Sequence, residues 1–364
     1  MKIGKFMMPN HPPDRDYAEG HYHNLDYLEF LDGIGFSEAW IGEHFSVKRE
    51  PLPAPDLLIA QALLKTKNIV LAPGAHILPY HHPAELAHRI AWLDHMAKGR
   101  LMVGVGSGGV SSDWEMFDVD GVGGENREMT AESLEIMMKF WTSDGPFRHE
   151  GKFWTAERPE DRAGGNHAFH LKPYQDPHPP IGIAGLSPGS PTLEIAGKMG
   201  FLPMSFCLGN AYLDNHWQTY ARAAEAAGRE PRRGDWRVAR DIYIADTDAE
   251  ARRRAMDGLM GESYRNYLLP LFHSFGLASA FKHDPDVPDS DVTVEYLADH
   301  CWITGTPETV IDKLGSMVET SGGFGTLLAL GYDHLDDMTG WRESMSALMT
   351  EVAPKFQDKS LAAE

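Results

Sequence analysis

Eight short, strongly apolar runs recur along the chain, each followed by a longer stretch of helical periodicity. This alternation constrains the fold more than any other feature. The runs are residues 3–9, 36–44, 68–78, 100–109, 180–187, 201–206, 237–246 and 325–332. Several are apolar throughout, the pattern of parallel strands covered on both faces. The stretches between them, such as 25–35, 54–68, 83–99 and 130–145, are amphipathic. Pro83 and Pro191 stand where a first helical turn tolerates proline, and Gly33, Gly99 and Gly145 read as stop signals.

Eight strand–helix units predict an α/β protein, a single (β/α)8 barrel over residues 1–354. A doubly wound open sheet fits the same spacing, because spacing does not show closure. Two segments interrupt the alternation. Residues 146–180, rich in Pro, Gly and His, read as a small hairpin excursion. Residues 258–300, after the seventh strand, are too long for an ordinary connection and read as a lid insertion. Residues 355–364 read as a solvated tail.

Composition narrows the partners. The chain has 364 residues, with 33 Lys and Arg against 53 Asp and Glu, a net charge of −20. That excess argues against nucleic acid or an anionic membrane as the main partner. Two cysteines, Cys207 and Cys301, make neither a disulfide framework nor a thiolate metal cluster, so a reducing cytoplasm is expected. No stretch reads as a signal peptide or a membrane span.

In a barrel the reactive groups gather at the carboxyl ends of the strands. Polar residues stand there: Asn10 and His11, Glu43 and His44, His76, Ser107 and Ser187. His44 is placed to exchange a proton near neutral pH, the ordinary alternative being a satisfied core or surface histidine. After the fifth run, Gly185, Ser187, Gly189, Ser190 and Thr192 lead into a helix, a pattern suited to a phosphate or to a plain capped helix. Arg127 is a candidate counter-charge or a solvated helix arginine. The glycines of residues 104–109 lack the spacing of a dinucleotide fingerprint but admit close approach of a flat ligand. His21 with His23, and His76 with His81 and His82, raise a metal reading. Most of these fall in loops or helix entrances, so no metal is expected, and a barrel metallohydrolase stays the outlying alternative. Met7, Met8, Trp40, Phe45 and Phe206 lie near strand ends, as pocket walls or ordinary core.

Five segments carry a family resemblance: FMMPNHPP (6–13), FSEAWIGEHF (36–45), the run from Ala72 to Gly108, SPGSPTLEIAGKMGFLPMS (187–205) and WITGTPETVIDKL (302–314). In order and over nearly the whole chain, they resemble the bacterial luciferase-like flavin monooxygenases, in the branch of limonene monooxygenase-like and diketocamphane monooxygenase-like enzymes. The resemblance implies a barrel that binds reduced FMN supplied by a separate NAD(P)H flavin reductase, with dioxygen as co-substrate. It implies monooxygenation of a small apolar compound, of terpenoid or cyclic-ketone type, through a flavin hydroperoxide. Epoxidation, hydroxylation and Baeyer–Villiger insertion all remain open. It further implies a mobile lid over 258–300 and a homodimer. His44 matches the family's active-site histidine, and Gly74–Ala75 match the small pair, sometimes joined by a cis peptide, against which the flavin ring lies. Ser187, Gly189, Ser190 and Arg127 fall where the family grips the FMN phosphate. Gly106 and Ser107 lie beside the cofactor but depart from luciferase, which has a reactive cysteine and a phosphate-binding arginine there. Light emission from a long-chain aldehyde is therefore not expected. A deazaflavin-dependent oxidoreductase of the same superfamily and a non-catalytic flavin-binding protein are the alternatives.

Overall fold

The computed structural model describes residues 1–206, 209–274 and 276–357. Cys207 and residues 358–364 of the expected tail lie outside them. Lys355 and Phe356 belong to a final helical turn, Ala353–Phe356, with Phe356 buried and its carbonyl accepting from the amino terminus of Met1 at 2.8 Å.

Eight strand positions run parallel in a ring. They are β1 (Lys2–Met7), β2 (Glu38–Ile41), β3 (Val70–Pro73, continued by His76–Ile77), β4 (Val103–Gly106), β5 (Ile181–Gly185), β6 (Leu202–Ser205), β7 (Arg237–Arg240) and β8 (Thr326–Gly331). β8 pairs with both β1 and β7. The ring closes between β3 and β4: Leu71 N–H donates to Arg100 O and Met102 N–H to Leu71 O, each at 3.1 Å, and His76 pairs with Val105. The sheet is therefore a (β/α)8 barrel, and the open doubly wound arrangement is excluded.

Side chains fill the barrel interior. Trp40 is fully buried, and its indole N–H donates to Glu38 at 2.8 Å. Glu38 in turn takes both arms of Arg237 at 3.1 Å, so this enclosed polar group is paired. Glycine opposite the indole is a packing requirement: a Cβ on Gly182 would stand 2.7 Å from the Trp40 ring. Outside the strands pack α1 (Tyr17–Ile34), α2 (Pro55–Lys65), α3 (Pro83–Ala97), α4 (Glu125–Thr142), α5 (Pro191–Met199), α6 (Leu213–Ala226), α7 (Pro307–Ser321) and α8 (Met338–Ala347). Complete burial of side chains such as Leu28 and Leu31 contributes about 1.5–3 kcal/mol each.

Pro83 and Pro191 each occupy the first turn of their helix. Gly35, at φ 96°, ends α1, and Gly33 lies inside it. α4 stops at Ser143 before reaching Gly145. The seventh apolar run divides at Asp241: Arg237–Arg240 stay in the barrel, while Ile242–Ile244 pair with an unexpected strand, Ile303–Gly305. Both halves are fully buried and read as one continuous strand, so local pattern carries no sign of the change of partner. Between α4 and β5 the chain makes an antiparallel hairpin, Phe147–Glu150 with Thr155–Arg158. Between Asp257 and Cys301 it forms short helical pieces, among them Leu259–Ser263, a wide turn Tyr264–Leu268, Leu269–Ser274 and Val294–His300.

Candidate active site

The loop after β2 delivers His44 between two acids. Its Nε2 lies 2.9 Å from Glu50 Oε2, and its Nδ1 lies 3.8 Å from Asp113 Oδ2. Glu50 comes from the same loop, and Asp113 from a short helix after β4, Ser111–Phe117. Both carboxylates are buried, at 1% and 2% exposure. Burial alone disfavours a charged imidazole, but the two carboxylates outweigh it and push the His44 pKa up to about 10. Burial would likewise raise Asp113, yet His44 and the Ser46 hydroxyl and N–H hold it below the usual carboxylate range.

A second carboxylate–histidine group stands beside it. Glu43 accepts from His76 Nδ1 at 2.8 Å, His81 Nε2 at 2.5 Å and the Ile77 N–H at 3.2 Å. Burial pushes Glu43 up, and the two imidazoles bring it down to about 2. These three residues place one donor atom each within 4.8 Å of the others, but in this arrangement the atoms are already engaged with one another. The histidine groupings suggested by spacing are divided. His82 caps α3 by accepting the Ala84 N–H, His21 contacts Gln61 at the surface, and His23 is buried against Tyr27.

Small residues line the rim from β3 to β4. The Gly74–Ala75 peptide is cis. A Cβ built on Gly106 would stand 3.5 Å from that of Ala75, so the two positions adjoin across the strand pair. Asn126 donates to the carbonyls of Ser107 and Gly108 at 3.0 and 3.2 Å, which seats the first turn of α4, and with it Arg127, over the end of β4. Arg127 is exposed and makes no side-chain hydrogen bond or ion pair with the described residues. β5 pairs with β4, so the loop after β5 runs alongside. There Gly189, at φ 60°, donates its N–H to Asn215 at 2.5 Å. The carbonyl of Ser187 accepts from His216 Nε2 at 2.9 Å, leaving its hydroxyl unengaged among the described residues. Ser190 is buried with its hydroxyl bonded to Thr192 at 2.8 Å. Sequence reasoning named the loop residues but not Glu50, Asp113, Asn126, Asn215 and His216, which contact them in the folded chain. None carries a local motif.

Above the strand ends lies a small apolar cavity, with room for little more than one water molecule. Met8, Phe206 and Leu330 form its floor; Tyr264, Phe272 and Phe281 are among the residues that roof it from the insertion. Of the expected walls, Met8 and Phe206 line this space. Met7 and Trp40 are buried in the core, and Phe45 packs edge-on against Tyr80 and Phe117. The roof is tied down by Arg49 to Glu262 at 2.6 and 2.7 Å, Ser263 to Asn10 at 2.8 Å and Tyr264 to Asp241 at 2.7 Å.

Fold and site together define a parallel (β/α)8 barrel whose titratable groups, small-residue rim and apolar chamber share the carboxyl end of the strands. The chain belongs to the luciferase-like monooxygenase family, whose model matches residues 1–323. It is 36% identical over 372 residues to 3,6-diketocamphane 1,6-monooxygenase of Pseudomonas putida, covering 98% of each chain. It is 30% identical over 359 residues to limonene 1,2-monooxygenase of Rhodococcus erythropolis, covering 97% of this chain and 86% of that one. The solved structure of the oxygenating constituent of 3,6-diketocamphane monooxygenase from Pseudomonas putida, a type II Baeyer–Villiger monooxygenase in complex with FMN, superposes with a TM-score of 0.92 at 36% identity, covering 98% of each chain. Structures of two F420-dependent enzymes, at 18% and 20% identity, share the fold.

Proposed function

We propose that the protein is the oxygenating component of a two-component FMN-dependent monooxygenase. It takes reduced FMN from a separate flavin reductase and inserts one atom of dioxygen into a small cyclic ketone or related terpenoid, in the Baeyer–Villiger manner. The observation that carries this reading is an apolar chamber roofed by the insertion at the same barrel end as His44 and the small-residue rim. Similarity to the diketocamphane enzyme, which holds FMN in its structure, supports the cofactor.

The residues fit that cofactor. Gly74, Ala75 and Gly106 present little side chain, so a flat ring system meets no steric obstacle there. Arg127 is an uncommitted cation in a strongly acidic protein, and the Ser107 and Ser187 hydroxyls have no partner among the described residues. Ser187, Gly189 and Ser190, at the entrance to α5, provide loop backbone on the same side. Reduced FMN would supply the two electrons that activate dioxygen.

The chain's own part is positioning, dryness and proton control. Arg127 and the loop hydroxyls bind the phosphate by charge-assisted hydrogen bonds. The cavity residues exclude water, and movement of the roof opens this apolar space to the substrate. His44, charged between Glu50 and Asp113, donates a hydrogen bond or a proton to the oxygen being transferred. The insertion acts as the lid.

Leu57 and Leu64 on α2 and Trp92 and Met96 on α3 are exposed at 64, 89, 59 and 45%. Such a face on two adjoining helices supports a homodimer. No described helix is long and apolar enough to cross a membrane. Dependence on a reductase fed by NAD(P)H supports a cytoplasmic setting.

Anaerobic titration with reduced FMN, followed by dioxygen and product analysis over terpenoids and cyclic ketones, tests the proposal. A lactone or other monooxygenated product with stoichiometric oxygen uptake supports it. Binding of reduced deazaflavin alone, or oxygen uptake independent of substrate, overturns it.

A further inference from the structure

The insertion grips two consecutive residues of the loop that carries His44. Arg49 makes its bidentate ion pair with Glu262. Glu50 Oε2 receives His44 Nε2 at 2.9 Å and lies 3.5 Å from the hydroxyl of Tyr267, one turn along from Glu262. The other Glu50 oxygen is buried with no hydrogen-bond partner. Asp113 flanks the ring from the opposite side, with the Ser46 donors behind it. The charged and titratable groups around His44 are thus Glu50 and Asp113, with Arg49 and Tyr267 on the Glu50 side and Tyr80 within electrostatic reach of Asp113.

A docked insertion packs Tyr267 against the buried Glu50 carboxylate, and a buried carboxylate is costly unless a cation compensates it. The His44 ring is the cation in contact with it. We propose that Glu50 and Tyr267 are positioning residues that couple docking of the insertion to the charge on His44. The roof closes over an imidazolium and is destabilised over a neutral ring. By thermodynamic reciprocity the closed roof also strengthens the hold of His44 on its proton. The value of this coupling to the reaction rests on the reading of His44 as the proton-handling group; the coupling itself does not.

Hydrogen–deuterium exchange of residues 258–274 in the full chain, without cofactor, tests it. His44→Gln removes the cation and is expected to speed exchange there at least ~10-fold, while β1 and β8 stay protected. Adding Glu50→Gln removes the stranded carboxylate and should bring exchange back to within about threefold of the parent. Tyr267→Phe should speed exchange in the parent yet add less than about twofold on a Glu50→Gln background. Unchanged exchange in His44→Gln, or additive effects of Tyr267→Phe and Glu50→Gln, would overturn the coupling. If β1 and β8 also lose protection in His44→Gln, the Tyr267 and Glu50 pair decides. Product formed per dioxygen by His44→Gln tests the proton role separately: faster exchange with undiminished yield keeps the coupling and discards that role.

Discussion

Glu50 holds the imidazole of His44 at 2.9 Å, and the acid is the more deeply buried of the two. The folded-state pKa of His44, about 10, lies above its unfolded value near 6.5. A group raised on folding contributes stability that is complete below the unfolded pKa and lost as pH rises through the folded one. The His44 contribution should therefore be intact at pH 6 and disappear toward pH 10. Thermal unfolding across that range, compared between the parent and His44→Gln, checks it: the difference in Tm should shrink as pH rises. Product yield per dioxygen should stay level through neutral pH and fall on the alkaline side, with no inflection near 6.5.

Arg127 has no side-chain partner among the described residues, so its loss should register in cofactor affinity with little effect on folding. A charge-assisted hydrogen bond is worth about 1.5–3 kcal/mol, so Arg127→Ala should weaken FMN binding by roughly 10- to 150-fold. Fluorescence titration with FMN measures this. Asn126→Ala, which frees the first turn of α4 from Ser107 and Gly108, should give a smaller loss in the same direction.

Phe272 roofs the chamber from the insertion. Phe272→Ala should enlarge it and shift relative kcat/KM toward bulkier cyclic ketones by about 10-fold or more. FMN affinity should stay within about twofold, since the proposed phosphate and ring positions lie elsewhere. Competition assays with paired substrates read the shift directly.

The exposed apolar face of α2 and α3 should mediate self-association. Leu64→Glu combined with Trp92→Glu should place charge in that contact and halve the mass seen by sedimentation. Helical content by circular dichroism should be unchanged, because both side chains point away from the core.

The closing stretch of the fold shows where sequence reading stops. The β/α alternation, the prolines at the first turns of α3 and α5, and the placing of His44 after β2 follow from neighbours a few residues apart. Periodicity and chain stiffness report those well. The division of the run at Asp241 escapes it, because Ile242–Ile244 choose Ile303–Gly305 as partner only once the intervening insertion has folded back.

For the candidate site, residue types and strand ends were legible: a histidine after β2, a glycine-rich loop after β5 and an arginine in the first turn of α4. Their electrical state was not. Whether His44 carries a charge depends on Glu50 of its own loop and on Asp113 after β4, and Glu43 depends on His76 and His81 after β3; the separate segments meet only in the folded barrel. Local sequence governs which backbone conformations each segment prefers. Burial and the pairing of distant charges belong to the tertiary structure, since field strength depends on distance and on excluded water, neither of which exists before the chain is folded.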